Sequence, residues 1–457
     1  VTMLRLVLSD LRHNAGIWVG ALVVSAATAV ALAVAAAMVE TGIALIASGD
    51  ELDLLRAAGL GTLATLVVVL TVVAVAAVLG SVTRLTIDLQ RRGYALWQLV
   101  GVPSRTVTVV VRLQLGVVAL VGSTLGCLVV APVAPAVLHL GLSASDGLRD
   151  LDERFDVVGG VAVVVAVTAV VVLSSLRSSR RAGRVRPVEV LRDPDAAAGR
   201  TSWGRWTLAG VAVVLAALLT SSLAAGGVRA STSVLLIGPF LTAAAVAVGP
   251  TLFPVVLRAW TAVLPAHWSA SWFLARNAAA SAVGRSSATV GALVLTIALP
   301  ASITGGFATT ADAVRRSTGG DGPGLDPQSL LLMLGGPLLV SLSGAAATVL
   351  MAGRTREQEA ALVEAAGGSR SVVLARAAWE SVVLVGTAVL VSAVVLVVSG
   401  VAQAIALGVT VPGTSPDVGL GVAGPATLVS LVLMVAASTL PLVVGRHRSI
   451  PLVLAAD

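Results

Sequence analysis

Two short stretches of this chain concentrate ionisable side chains at matching positions, and the chemistry they offer is ion pairing rather than bond making. The first runs Arg91-Arg92-Gly93-Tyr94-Ala95-Leu96 through Gly101 to Ser104-Arg105. The second runs Arg354-Thr355-Arg356-Glu357-Gln358-Glu359 through Gly367 to Ser369-Arg370. One offset, 266 residues, carries Leu96 onto Leu362, Gly101 onto Gly367 and Gln114 onto Glu380. The Ser-Arg pair alone falls one residue out of step. Each stretch is followed by a long apolar helix, so the pattern reads as a duplicated basic turn at the mouth of a helical bundle, where a soluble partner could push. Glu357, Glu359 and Glu364 are mixed among the second set of arginines, and a stripe made only for anionic headgroups would gain nothing from them. Gly101 and Gly367 suit helix ends, where a positive φ is cheap. Ser104 or Ser369 suits the N-cap of the next helix. Arg376 and Glu380 stand one helical turn apart near the inner end of that helix. They fit an intrahelical pair, a conformational latch or a substrate contact, in that order, with pairing favoured.

Bond-making chemistry finds little support. His13, His139, His267 and His447 are scattered, with no metal-ligand spacing and no Ser/His/Asp arrangement. No catalytic residue and no metal ligand is therefore assigned. The 30 basic residues are all arginine. The phosphate-binding loop of nucleotide hydrolases needs a lysine, so this chain does not hydrolyse ATP by that route and is expected to bind no cofactor of its own. The one cysteine, Cys127, reads as a small buried hydrophobe.

The elements that must position these residues are membrane helices. The chain has 457 residues, 57% hydrophobic and 12% charged, with mean hydropathy +0.99, whereas soluble domains carry about 25% charged residues. Ten apolar spans are expected: Ala15–Met38, Leu60–Val82, Thr106–Val130, Val157–Leu176, Thr207–Ala225, Ser233–Leu257, Ala288–Thr310, Leu330–Met351, Trp379–Ala402 and Ala423–Val444. With the N-terminus inside, only Arg56, Arg149, Arg154, Arg229, Arg315 and Arg316 fall outside, and the other 24 arginines lie inside. That satisfies the positive-inside rule and accounts for the basic pI without nucleic acid. Both termini are then cytoplasmic. Outer connections are read as loops: about 26 residues at 131–156, and about 20 each at 40–59, 311–329 and 403–422. Segment 177–206 is a basic linker rich in Pro, Asp, Ala and Gly. Segment 266–284 reads as an amphipathic helix on the inner interface, matched by 4–14 before the first span. Pro300 and Pro337 invite kinks.

The repeat extends further. Gly20-Ala21-Leu22-Val23 recurs as Gly291-Ala292-Leu293-Val294, and Pro187-Val188-Glu189-Val190-Leu191 is echoed by Pro451-Leu452-Val453-Leu454. The expected architecture is an all-α integral membrane protein of about ten transmembrane helices: a four-helix repeat at 1–192, a linker and two-helix insert at 193–265, and a second four-helix repeat at 266–457. An even number of helices separates equivalent positions, so the repeats are parallel in the membrane.

With these motifs in hand, the chain resembles the FtsX/MacB-like permeases of ABC transporters. The family pattern, a basic residue, a mixed helix ending Gly-x-Ser-Arg and an apolar helix with an early carboxylate, is similar to Glu359-Ala360-Ala361-Leu362-Val363-Glu364-Ala365-Ala366-Gly367-Gly368-Ser369-Arg370 with Glu380 following. Tyr94 to Arg105, with Gln114, is a looser copy. The ten-helix layout is most similar to bacitracin-resistance-type permeases, without their large extracellular domain between helices seven and eight.

The resemblance implies a membrane subunit worked by two copies of a separate ABC ATPase, which holds the ATP and Mg, in a bacterial plasma membrane. It implies docking through Arg91, Arg92, Gly101, Ser104, Arg105, Arg354, Arg356, Glu357, Glu359, Gly367, Ser369 and Arg370. It implies an exporter whose substrate is amphipathic or lipid-like: a peptide antibiotic, a drug or a lipid. Two other readings stay open: signalling to a cell-wall hydrolase or sensor kinase, and ion-coupled secondary transport.

Overall fold

The computed structural model describes residues 9–11, 15–143, 155–183, 203–226, 231–265, 269–319, 326–351 and 353–444. The exits after Pro187 and Pro451, the middle of the linker and most of 4–14 lie outside them. The described residues form helices and no strands: α1 Ala15–Ser48, α2 Glu51–Leu89, α3 Arg91–Leu99, α4 Ser104–Val130, α5 Ala134–Leu142, α6 Val157–Gly183, α7 Trp203–Gly226, α8 Ser231–Val263, α9 Ala270–Ser281, α10 Val283–Thr318, α11 Pro327–Met351, α12 Gly353–Ala365, α13 Arg370–Gly408 and α14 Leu420–Val444. Ten of these are long and apolar enough to cross a membrane: α1, α2, α4, α6, α7, α8, α10, α11, α13 and α14.

The helices overrun the expected spans. α1 has 34 residues and α2 has 39, roughly 50–60 Å at about 1.5 Å per residue, against a hydrocarbon core of about 30 Å. The loop expected at 40–59 is therefore a turn of two residues, Gly49 and Asp50, between two helices. Charged residues such as Glu40 end an apolar run without breaking a helix. Only Gly49, with φ 75°, does that. In the same way α10 continues to Thr318, where Gly319 at φ 68° closes it, and α13 continues to Gly408.

The chain packs as two compact units, one of 1–195 with 325–344, the other of 196–324 with 345–457. These are packing units; the repeat boundaries read from the sequence concern internal similarity and stand as a proposal. In the first unit α1 packs on α2, α4, α5 and α6. Ala29, Ala31, Ala33, Ala35 and Ala37 are all buried, as befits a helix enclosed on all sides. The C-terminal part of α1 is tied to α6, because Glu40 accepts the Asp156 N–H at 2.8 Å. α5 meets the start of α11 through Ser143 Oγ to Gln328 Oε1 at 2.7 Å.

In the second unit α10 is the enclosed helix, packed on α8, α13 and α14. Its polar residues Thr289, Thr296, Ser302, Thr309 and Asp312 are buried, and most satisfy themselves locally, as Thr296 Oγ1 does on the Ala292 carbonyl at 3.0 Å. Asp312 accepts hydrogen bonds from Arg315 (2.8 Å), Arg316 (2.9 Å), and the backbone N–H and hydroxyl of Ser415 (both 3.1 Å). Each unit thus uses a carboxylate on a central helix to fix the backbone just before a later one, Glu40 ahead of α6 and Asp312 ahead of α14. The segment ahead of α14 also lies against α10 and α13 at Gly305 and Gly400, near the Asp417 carbonyl.

α9 covers part of the region read as an interfacial helix. Ser269 caps it, accepting the Trp272 N–H at 3.0 Å. Trp272 is buried edge-on to Trp379 of α13, ring centroids 5.4 Å apart, while Phe273 is exposed. Ala266, His267 and Trp268 lie outside the described residues.

Candidate functional site: two helical elbows

Each basic turn is a short helix between two long ones. α2 hands over to α3 at Gln90, and α11 to α12 next to Gly353. The ends of α3 and α12 are then built bond for bond alike. Val100 N–H bonds to Leu96 O (3.2 Å), Gly101 N–H to Gln98 O (3.1 Å) and Val102 N–H to Trp97 O (3.0 Å). The counterparts are Ala366 to Leu362 (3.0 Å), Gly367 to Glu364 (3.0 Å) and Gly368 to Val363 (2.8 Å). This is a Schellman termination, which requires a left-handed residue at its turning point. Gly101 has φ 99° and Gly367 φ 88°. Nothing crowds either Cα, so alanine at either position carries only the conformational cost, about 1 kcal/mol. Gly101→Ala and Gly367→Ala should each lower the thermal unfolding midpoint in detergent slightly.

The register corrects one expectation. Thr106 and Val107 bond back to Pro103 O, and Val372 and Val373 to Ser369 O, so the 266-residue offset continues without a slip. The N-cap of α4 is Pro103, not Ser104, and Pro103 is the equivalent of Ser369. Ser369 occupies the N-cap of α13 without a capping bond from its side chain; its hydroxyl meets Ser371 Oγ at 2.8 Å. Arg105 and Arg370 are exposed on first helical turns. Arg91 and Arg92 open α3, and Arg354, Arg356 and Glu357 lie in the first turns of α12.

Beneath each elbow the anchor differs. Under α3, Tyr94 is buried, 2% exposed, with its hydroxyl donating to Gln90 Oε1. Burial, with the Asp10 carboxylate beside it, holds the phenol well above the usual tyrosine range, so it remains a donor. Gln114 on α4, fully buried, donates to Asp10 at 2.7 Å. Under α12, Arg376 donates to Glu359, joining the elbow to α13. A pair with Glu380 was the sequence expectation; the contact to Glu359, 17 residues away along the chain, is one that helix spacing does not show. Glu380 is buried, 4% exposed, in a cleft lined by Glu359, Ala360, Val373, Arg376, Ala377 and Leu442. Glu364 and Arg370 approach to 3.7 Å. Arg376→Leu would strip Glu359 of its guanidinium and open the tie between α12 and α13, at a cost of about 2 kcal/mol. The check is a lowered unfolding midpoint with faster amide exchange in α12.

The tips of the elbows are apolar, which charge-based reading missed. Leu96 is 49% exposed and Leu362 59%, and they are equivalent in both sequence and hydrogen-bond register. Leu99 and Val100 are exposed on the first elbow, Ala365 and Ala366 on the second. The available signal was the alignment of Leu96 with Leu362 within the duplicated turn. Such a surface can bury a leucine in a partner's groove while arginines engage its rim.

Among known proteins, residues 65–187 match the family model described as FtsX-like permease C-terminal. The match begins within α2, covers α3, α4 and α5 and reaches α6, so it contains the first elbow. It is consistent with the FtsX/MacB-like permease family and points to a membrane subunit of the ABC type, typically non-catalytic and partnered by an ABC ATPase. No curated protein matches the chain.

Proposed function

We propose that this chain is the permease subunit of an ATP-driven exporter in a bacterial plasma membrane, with both termini cytoplasmic. Two copies of a separate ABC ATPase, carrying the ATP and Mg, would grip its two elbows. The observation that carries the reading is the duplicated Schellman elbow with an exposed leucine at the same position in each copy. ATP-driven closure of the ATPases would press on α3 and α12. The glycine-terminated turns and the anchors below them, Tyr94 and Gln114 on one side and Arg376 with Glu359 on the other, would pass that motion into α4 and α13. Arg91, Arg92, Arg105, Arg354, Arg356 and Arg370 would pair with acidic rims; Arg376 and Glu380 would hold the second elbow to its helix. The expected substrate is amphipathic or lipid-like.

Reconstituted vesicles test this. Movement of a fluorescent amphipath that needs both the ATPase and ATP is the expected result. Uptake driven by an ion gradient without any ATPase would replace the proposal with secondary transport.

One observation favours the signalling alternative enough to keep it. The α1–α2 hairpin overruns the membrane and exposes Ile43, Ile46, Leu52 and Leu55 near its tip, a surface for an outer hydrolase or sensor kinase. ATP-dependent activation of such a partner, with no amphipath moved, would decide for it.

A further inference from the structure

The two elbows share one backbone and one exposed leucine, and differ in the charge and apolar area around it. Over the twelve equivalent positions 90–101 and 356–367, the first carries Arg91 and Arg92 with no carboxylate, net +2. The second carries Arg356 against Glu357, Glu359 and Glu364, net −2. Widening to the flanking residues, 88–105 and 354–371, leaves +2 against zero. Two of the second elbow's carboxylates also face arginines of its own unit, Glu359 with Arg376 and Glu364 with Arg370. At the tip, Leu99 and Val100, 55% and 87% exposed, stand where the second elbow has Ala365 and Ala366. Beneath the helix the buried ring of Tyr94 fills the position at which Ala360 lines a cleft.

Resting on the docking reading above, we propose that the elbows are unequal handles: the first is the tight, salt-sensitive anchor for an ATPase subunit with an acid-rimmed apolar groove, and the second is a weak, charge-balanced contact. Two physical arguments support the ranking. Leu99 and Val100 offer apolar area that two alanines lack, and buried apolar area is the main source of docking free energy. A net positive surface attracts an acidic rim over roughly 8–10 Å and speeds encounter, whereas a charge-balanced surface has a weaker field to offer. A solid support matters too. The buried Tyr94 ring packs under the first helix, while the second sits over a cleft lined by Glu359 and Arg376.

The test uses the full-length chain in phosphatidylcholine nanodiscs and, as probe, the ABC ATPase that co-purifies with the wild-type chain. Binding is measured at low and high salt. Arg91→Glu with Arg92→Glu should weaken binding about tenfold or more and flatten its salt dependence. Arg354→Glu with Arg356→Glu, the matching reversal on the second elbow, should weaken it by about threefold or less. Leu99→Ala with Val100→Ala, which copies the second tip onto the first, should weaken binding without altering the salt slope. Equal losses from the two elbows would overturn the inequality while leaving docking intact. No loss from either charge set, nor from aspartate at Leu96 and Leu362, would mean that the docking reading itself fails. Arginine variants that change retention on phosphatidylglycerol vesicles but not ATPase binding would show the first elbow to be a headgroup contact, and would also overturn the proposal.

Discussion

Aspartate at both Leu96 and Leu362 should abolish stable ATPase association and ATP-dependent movement of substrate, with helix content unchanged. Both leucines are about half exposed, so neither holds the chain together. Seating one in a groove gains about 1.5–3 kcal/mol, and a carboxylate in the same groove without a partner adds a desolvation cost of at least about 1–3 kcal/mol. Two such sites together shift association by several powers of ten. Co-purification and circular dichroism on the same preparation check the result. Retained association at unchanged stoichiometry would remove the elbows from the mechanism.

Gly419→Ala should be the most damaging glycine-to-alanine change in the second unit. Gly419 sits at φ 64°, and a Cβ there would lie 2.0 Å from the Ala301 carbonyl oxygen. That oxygen belongs to the enclosed helix α10 and cannot swing aside as a side chain would. Left-handed strain contributes about 1 kcal/mol, and displacing packed backbone raises the total to about 3 kcal/mol or more. The segment 409–419 would lift, weakening the bonds from Ser415 to Asp312. A fall in the unfolding midpoint, with amide exchange rising in 409–419, is expected. Gly421→Ala, which meets nothing within 4 Å, is the control. Equal behaviour of the two variants would contradict the packing described.

Much of this was legible in the sequence, and the gaps have physical causes. Ten apolar runs gave ten helices, because in hydrocarbon the backbone must satisfy itself within each segment. Gly101 and Gly367 stood out since few other residues turn a helix end at positive φ. The helix ends were not legible. Spans were closed at charges such as Glu40, and a charge beyond the hydrocarbon costs a helix nothing. The N-cap was misplaced because Ser104 is the better capping type, yet Pro103 supplies the required extended backbone and holds the hydrogen-bond register. Glu359 reaches Arg376 only once α12 folds back on α13, a contact that spacing along one helix does not show. Glu40 and Asp312 drew no attention as fastenings, since the backbone N–H groups of Asp156 and Ser415 that they hold lie far off in the chain and no motif encodes them.

The two-residue turn at Gly49 and Asp50 has a geometric consequence of its own. Joined so tightly, α1 and α2 leave little slack between them and behave as one stiff mast. A rod about 50 Å long, tipped about ten degrees at its foot, carries its summit nearly 10 Å sideways. A nudge of an ångström or two beside the pivot would arrive at the far end as a displacement the size of a side chain or larger.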